Sequence, residues 1–161
     1  MVILNPAPAQ PLPRSILKRV DYLTPNETEA ELLTGLSVHS PRSAERAAAR
    51  LVRSGVQNVI VTLGKRGCLL VNQERTQLFP ALKVKPLDTT AAGDAFNGAL
   101  AYSLARGTKL PEAIPFANAV AALSVTRLGA QSSMPTMREL RSFIVPVKIE
   151  LITKANVGPP Q

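Results

Sequence analysis

The chain has 161 residues, one cysteine and a net charge of +8, and its length suits one domain with a modest core. A single cysteine excludes an intrachain disulfide and fits a reducing cytoplasm, where we expect the protein to act. No apolar run of the sequence reaches transmembrane length, so we expect no membrane partner.

The positive charge is densest in one predicted helix. Arg42, Arg46, Arg50 and Arg53 recur at helical spacing, which places them on one face opposite an alanine-rich apolar face. Because no aromatic or amide side chains that could read bases lie nearby, we interpret this surface as a solvated helix face. We therefore expect no nucleic-acid partner.

The first part of the chain alternates between predicted strands and predicted helices. The predicted strands are Val2–Leu4, Tyr22–Thr24 and Val56–Leu63. The predicted helices are Leu12–Val20, Asn26–Thr34 and the arginine-rich helix from Pro41 to Gly55. This alternation predicts an α/β fold with a parallel sheet.

The second part adds a hairpin, a further strand and more helices. The predicted elements are a hairpin of Cys68–Val71 and Gln77–Phe79, a strand at Lys83–Leu87, and helices at Asp94–Ala105 and Pro111–Arg127. Thr136 and Glu139 have the spacing of a capping box for a last short helix. Amphipathic order is lost from Val145, so we expect a domain over 1–144 and a disordered or divergent tail over 145–161.

The turn at residues 88–94 reads Asp-Thr-Thr-Ala-Ala-Gly-Asp and joins a predicted strand to a predicted helix. Small residues let a ligand approach the first N–H groups of the helix, which lack intrahelical partners and bind anions. A carboxylate at such a site repels an anion, but Asp94 is well placed to take a proton from a hydroxyl that attacks a bound phosphate. The structural alternative is a common helix-start aspartate beside a loop glycine.

Two other segments contain residue types suited to a nucleotide site. Asn26-Glu-Thr-Glu29 begins a predicted helix, where Asn is also an ordinary N-cap. Thr62-Leu-Gly-Lys-Arg-Gly67 follows a buried strand, where two glycines also suit a plain hairpin turn. The sequence contains no Gly-x-x-x-x-Gly-Lys-Ser/Thr, so it is not a P-loop kinase.

The string at residues 88–94 resembles the signature Asp-Thr-x-Gly-Ala-Gly-Asp of the ribokinase-like carbohydrate kinases, the phosphofructokinase-B family. The resemblance implies an ATP-dependent kinase with a three-layer, Rossmann-like α/β fold, in which helices flank a mostly parallel sheet. It implies that Asp94 is the catalytic base facing the sugar, and that the backbone of Ala91, Ala92 and Gly93 forms an anion hole. Ala91 stands where the family usually has Gly; because Ala keeps its N–H, the anion hole can survive there if φ is negative.

The same resemblance implies cofactor sites. Asn26 and Glu29 match a motif that holds waters around Mg²⁺. The segments that border the nucleotide are implied to be Thr62, Leu63, Gly64, Lys65, Arg66 and Gly67, with Gly93 at the phosphates and Asn118 near adenine. A K⁺ site is implied at Asp88, Thr90, Ser124, Arg127, Gly129 and Ser133.

Leu4–Ala9 and Asn26–Ala30 are more similar to the ribose kinases of this family than to its fructokinases or adenosine kinases, so ribose is the expected substrate. The resemblance runs from Val2 to about Phe143 and covers about the C-terminal half of such a kinase. We therefore expect a fold that is incomplete on its N-terminal side and that lacks most sugar contacts.

Several hypotheses stay open at this point. One is a kinase that works as a homodimer or with a complementing N-terminal half and phosphorylates ribose to ribose 5-phosphate. Another is an inactive nucleotide-binding fragment or a partner-binding module that uses an exposed sheet edge. A third is a kinase for another sugar or for a nucleoside. By itself, the chain is expected to show little ribose kinase activity.

Overall fold

The computed structural model describes residues 1–144. Its strands are β1 (Ile3–Leu4), β2 (Tyr22–Leu23), β3 (Asn58–Thr62), β4 (Cys68–Asn72) and β5 (Thr76–Phe79). Its helices are α1 (Arg14–Leu17), α2 (Glu27–Thr34), α3 (Pro41–Arg53), α4 (Ala92–Ala105) and α5 (Leu110–Ser124). Short 3₁₀ turns lie at Gly64–Arg66 and Gln131–Ser133, and residues 137–144 are helical.

The five strands form one mixed sheet in the order β1-β2-β3-β4-β5. β1, β2 and β3 are parallel, with Tyr22 paired to both Ile3 and Asn58. The hairpin β4–β5 continues the sheet in antiparallel fashion from β3. The predicted α/β class and the predicted hairpin are confirmed.

Helices cover both faces of this sheet, because side chains of a strand alternate between its faces. Val59 and Val61 of β3 point to one face and join a core built with α1, α2 and α3. Ile60, between them, points to the other face and joins a core built with α4 and α5. All three side chains are fully buried, as expected for a central strand of a three-layer fold.

The helix starts follow the local capping chemistry that the sequence indicated. Asn26 and Glu29 form a reciprocal capping box at α2, and Ser40 caps α3 ahead of Pro41. Thr136 and Glu139 form the predicted capping box before residues 137–144. Hydrogen bonds from Thr136, and then from Arg127, lower the pKa of Glu139 to about 2.

The four arginines of α3 are exposed, while its alanine face is buried against the sheet, so the interpretation as a solvated face is confirmed. Within residues 1–144, no helix combines the length and the apolar character that crossing a lipid bilayer requires. The predicted tail over 145–161 lies outside the described residues.

The strand predicted at Lys83–Leu87 is wrong, because residues 80–88 form no strand. Pro80 and Pro86 have no backbone N–H to donate to a neighbouring strand. The N–H groups of Leu87 and Asp88 instead both donate to the carbonyl of Val125, at 2.7 and 3.2 Å, just after α5. The segment is therefore held by a helix end rather than by the sheet.

Three helix boundaries also differ from the prediction. α1 is shorter than Leu12–Val20, α4 begins two residues before Asp94, and α5 ends at Ser124 instead of Arg127. The backbone N–H groups of residues 125–127 still donate within short turns, so the end of α5 tapers into the next loop.

Gly67 has a positive φ of 94°, and an added Cβ there would lie 2.0 Å from the carbonyl oxygen of Phe79. Gly64 also has a positive φ, of 54°, but an added Cβ would meet open space. We expect Gly67→Ala to lower the free energy of unfolding by at least about 3 kcal/mol, because the backbone of β5 cannot move away cheaply. The matched variant Gly64→Ala should cost only about 1 kcal/mol. Urea denaturation tests this, and equal losses in the two variants would contradict it.

Candidate functional site

The polar residues of the candidate site begin at the carboxyl edge of the parallel strands. β2 leads through Pro25 to Asn26, and the N–H of Thr62 at the end of β3 donates to the carbonyl of Pro25 at 2.9 Å. Asn26 and Thr62 also form an isolated parallel bridge. Ligands of open α/β sheets bind outside this edge, so the site lies where the topology favours it.

A cavity of about 710 Å³ opens beside this edge, between the 3₁₀ turn after β3 and the helices α4 and α5. Its predicted polar and backbone positions are Asn26, Thr62, Gly64, Lys65, Gly67, Ala92, Gly93 and Asn118. Its apolar wall includes Ala81, Leu82, Val84, Pro86, Phe96, Ala121, Ala122 and Val125. A mostly apolar cavity of this size with a few polar groups suits a small molecule that combines an apolar body with polar groups.

Only some of the residues predicted to border the nucleotide around the 3₁₀ turn line the cavity. Gly64, Lys65 and Gly67 line it, whereas Leu63 is buried in the core beneath. Arg66 forms an ion pair with Glu27 and donates to the carbonyl of His39, so both charges are engaged with each other. Lys65 is therefore the cation of this turn that faces a ligand.

Asn118 lies on α5 at the cavity wall. Its Nδ2 is 3.5 Å from the carbonyl oxygen of Phe79 and 3.4 Å from that of Pro80, which are long contacts that a ligand can replace. Cys68 lies behind it, fully buried. Burial raises the pKa of this thiol to about 12, against a smaller lowering by its hydrogen bond with Asn118.

Asn26 lines the cavity, but the carboxylate of Glu29 is partly engaged in the capping box. Glu29 Oε2 accepts the N–H of Asn26 at 2.8 Å, and Asn26 Oδ1 accepts the N–H of Glu29 at 2.8 Å. Across residues 1–144, no group of three or more His, Cys, Asp or Glu side chains is placed to hold a metal ion. This chemistry fits Mg²⁺ only as an ion that keeps its waters and is carried by phosphates.

The negative φ that the sequence analysis named as a condition at Ala91 is not found in the structure. Ala91 has φ 60° and ψ 15°, and it is the non-glycine residue with positive φ in the described part of the chain. The turn needs a left-handed residue at this position, which explains why Gly is the usual choice in the family that the sequence resembles. Here the methyl group of Ala91 is accommodated at an energetic cost.

The turn leaves particular N–H groups for a ligand. The N–H of Ala92 donates to the carbonyl of Thr89 at 3.2 Å and is thus used within the turn. Among the described residues, the N–H groups of Gly93 and Asp94 have no hydrogen-bond acceptor. Gly93 lines the large cavity, so these first-turn donors of α4 lie at its end.

The side chain of Asp94 lies on the other side of the same helical turn. Asp94 is exposed and lines a smaller cavity of about 230 Å³ together with Gly98, Met134 and Thr136. The two cavities border the start of α4 at adjacent residues, the large one at Gly93 and the small one at Asp94. A group bound at the first-turn N–H donors would therefore have a carboxylate beside it.

Asp88 ties this turn to the loop that follows α5. Its Oδ1 accepts the N–H of Thr90 at 2.8 Å and its Oδ2 accepts the N–H of Gly129 at 2.9 Å. Hydrogen bonds from the hydroxyl and N–H of Thr90, and then from the N–H of Gly129, lower the pKa of Asp88. The carboxylate is anionic at neutral pH.

The predicted K⁺ residues lie on the two segments that Asp88 joins. Ser124 and Ser133 are buried, and the carbonyl of Ser124 accepts the N–H of Arg127. The carbonyl oxygens of Thr90, Arg127 and Gly129 accept no hydrogen bond from any of the residues that the structure describes. An anionic carboxylate beside such carbonyl oxygens is a donor set of the hard type that fits an alkali cation.

One functional contact escaped the sequence analysis. Asn97 of α4 accepts a hydrogen bond from Thr24 through Oδ1 at 2.6 Å, and donates through Nδ2 to the carbonyl of Gly93 at 2.9 Å. The signal was present in part, since Asn97 lies one helical turn after Gly93. The contact with Thr24 depends on residues that are 73 positions apart.

Comparison with known proteins gives a consistent result. The sequence model of the pfkB family carbohydrate kinases matches residues 1–137. A ribokinase of Haemophilus influenzae is 45% identical over 143 residues, which cover 89% of this chain and 47% of that protein. A deoxyribokinase of Salmonella typhi is 39% identical over 144 residues, with 89% and 47% covered. The chain thus spans about half the length of the curated relatives it matches.

Solved structures show the same relation. A ribokinase of Thermotoga maritima superimposes with a TM-score of 0.83 at 49% identity, covering 89% of this chain and 48% of that one. A ribokinase of Arabidopsis thaliana, solved with ribose and ATP, gives a TM-score of 0.84 at 34% identity, covering 89% and 47%. The predicted fold class is confirmed by both.

The left-handed conformation of Ala91 can be tested through stability. A non-glycine residue in this conformation costs about 1–2 kcal/mol, and the extra chain entropy of Gly costs about 0.5–1 kcal/mol. We therefore expect Ala91→Gly to raise the free energy of unfolding by about 0.5–1 kcal/mol. Ala92→Gly, at the next position inside α4, should lower it by about 0.5–1 kcal/mol. Chemical denaturation measures both, and a loss of stability in Ala91→Gly would contradict the prediction.

Proposed function

Because the chain belongs to the pfkB family of carbohydrate kinases, we propose that it carries the nucleotide-binding and catalytic part of a kinase that transfers the γ-phosphate of ATP to D-ribose. The product is ribose 5-phosphate. The observation that carries the proposal is the meeting of three features at one point. These are a mostly apolar cavity, the N–H groups of Gly93 and Asp94, which find no acceptor among residues 1–144, and the carboxylate of Asp94 beside them.

ATP occupies the large cavity in this proposal. The apolar wall packs against adenine, with Asn118 at its polar edge, and the phosphates extend toward Gly93. Lys65 lies at the cavity and attracts the phosphates. Glu29 and Asn26 are the groups that would hold the waters of a Mg²⁺ ion carried by ATP, which would supply charge to offset the phosphates.

Phosphoryl transfer then requires a base and stabilisation of developing charge. Asp94 accepts the proton of the ribose 5-hydroxyl as that oxygen attacks the γ-phosphate. The N–H groups at the start of α4 donate to the transferred phosphoryl group, where the helix dipole adds favourable charge. The sequence analysis assigned this role to Ala91–Gly93. Because the N–H of Ala92 is engaged with Thr89, we assign the main part of it to Gly93 and Asp94.

The proposal also names the sugar that accepts the phosphate and the assembly that turnover requires. Ribose is favoured by the ribokinase relatives, and 2-deoxyribose is the second candidate because a deoxyribokinase is among the relatives. The relatives are about twice as long as the matched segment. We therefore propose that turnover by this chain requires a complementing N-terminal half.

The base assignment is tested in a chimera in which residues 1–144 replace the matching segment of the Thermotoga maritima ribokinase. Asp94→Asn keeps the size of the side chain but cannot accept the proton, so kcat should fall by roughly 10²–10⁴ with little change in the KM for ATP. A coupled ADP assay with ribose and 2-deoxyribose as acceptors measures this. Glu74→Gln, an exposed acid in the turn of the β4–β5 hairpin, is the control and should leave kcat unchanged.

Two results would count against the proposal. An Asp94→Asn chimera with near wild-type kcat would remove Asp94 from the role of base. Binding of MgATP to the 161-residue chain without turnover in the chimera would favour an inactive nucleotide-binding fragment. Isothermal titration calorimetry on the chain provides that second measurement.

A K⁺ ion is proposed at Asp88 and the carbonyl oxygens of the loop after α5. When bound, such an ion would order the turn at residues 89–93 and offset phosphate charge.

Smaller and more tightly hydrated Na⁺ fits carbonyl ligands less well than K⁺. Replacing K⁺ with Na⁺ in the chimera assay should therefore lower kcat or raise the KM for ribose. Asp88→Asn should reduce the ratio between the two salts to about one, since the site loses its charge. Equal rates in both salts with Asp88 intact would contradict the proposal.

A further inference from the structure

Asn97 connects the end of a strand to the first turn of α4. Thr24 directly follows β2 and is 2% exposed. Its Oγ1 lies 2.6 Å from Asn97 Oδ1, and Asn97 Nδ2 lies 2.9 Å from the carbonyl oxygen of Gly93. The side-chain amide thus bridges two elements that both reach the candidate site.

The chemistry of the partners fixes the orientation of this amide. The carbonyl oxygen of Gly93 can only accept, so the NH₂ group of Asn97 must face it. Oδ1 of Asn97 then faces Thr24, whose hydroxyl must be the donor. The carbonyl of Leu4 lies 3.3 Å from the same hydroxyl and is the longer alternative. Because Thr24 is buried, water cannot easily replace either partner.

The contact controls a peptide group that the proposed reaction uses. The carbonyl of Gly93 and the N–H of Asp94 belong to one planar peptide, so holding the oxygen also sets the direction of the N–H. A donor to the carbonyl also polarises the peptide and strengthens its N–H as a donor. Among residues 1–144, this N–H has no acceptor.

We propose that Asn97 is a positioning residue for phosphoryl transfer, which holds the Gly93–Asp94 peptide so that its N–H faces the terminal phosphate of ATP. Thr24 anchors Asn97 to the strand edge, two residues before Asn26. The inference rests on the proposed function, because it assigns a direction to a donor of that same site. The proposal predicts that the N–H of Asp94 responds to the terminal phosphate only while Asn97 keeps its hydrogen bonds to Thr24 and Gly93.

The test uses the full 161-residue chain labelled with ¹⁵N and titrated with MgATP and with MgADP. In the wild type, MgATP should shift the Asp94 N–H resonance in a way that MgADP does not, while both nucleotides shift Gly64 and Asn118. Asn97→Ala should reduce the ATP-specific shift at Asp94 by up to about fivefold, because losing one hydrogen bond of about 1 kcal/mol changes the equilibrium constant for the aligned peptide by that factor. The shifts at Gly64 and Asn118 should be retained with a Kd within about threefold of the wild type.

Variants of Thr24 provide a second and independent measurement. Thr24→Val keeps the shape but removes the donor to Asn97, so it should also weaken the ATP-specific shift at Asp94. Thr24→Ser restores the hydroxyl and should restore the shift. Thr34→Val is the matched control, because the hydroxyl of Thr34 is also buried but donates to the carbonyl of Ala30 within α2. If Asn97→Ala does not fold, the Thr24 pair decides the question.

The outcomes separate the two proposals. Without MgATP shifts at Gly64 and Asn118 in the wild type, the proposed function fails and the inference with it. With those shifts present, an ATP-specific shift at Asp94 that survives in both Asn97→Ala and Thr24→Val overturns the inference alone. Loss of this shift in both variants, with rescue by Thr24→Ser, supports it.

Discussion

The carboxylate of Asp88 is the constraint on which the candidate site depends. It accepts backbone N–H groups from Thr90 on one side and Gly129 on the other, and so joins the turn before α4 to the loop after α5. The carbonyl of Val125 reinforces the same junction by accepting from Leu87 and Asp88. These contacts hold α4 and α5 at a fixed separation at one end, and the large cavity opens between them and the 3₁₀ turn after β3.

The helices on the two faces of the sheet have different roles. The core on one face, built with α1, α2 and α3, supports the strands and presents the arginines of α3 outward. The core on the other face, built with α4 and α5, forms the wall of the cavity. The N-terminal end of α2 also reaches the cavity, because its cap at Asn26 lies at the carboxyl edge of the strands. Most of the positive charge of α3 therefore lies away from the candidate nucleotide site.

The features that sequence predicts well here are those decided within a few residues. The cap at Asn26 and the buried apolar strand β3 depend on local chemistry, and the structure confirms them. The strand predicted at Lys83–Leu87 failed because a strand needs a partner, and this segment meets a helix end instead. The positive φ of Ala91 could not be read from the sequence, because the turn, held by Asp88, overrides the preference of alanine. Asn97 was missed because its hydrogen-bond partner Thr24 lies 73 positions away in the sequence and comes near it only in the folded protein.

Because Cys68 is buried, the reactivity of its thiol reports local opening of the fold. It is the one cysteine of the chain, it lies where β4, β5 and α5 meet, and its high pKa keeps it protonated at neutral pH. A thiol in this state reacts with an alkylating reagent only from conformations in which the hairpin and α5 have separated. Its modification rate in the native state would therefore measure the free energy of that opening directly, without any label being introduced. Since α5 also forms part of the cavity wall, a cavity occupant that contacts α5 would slow the reaction in proportion to how tightly it binds.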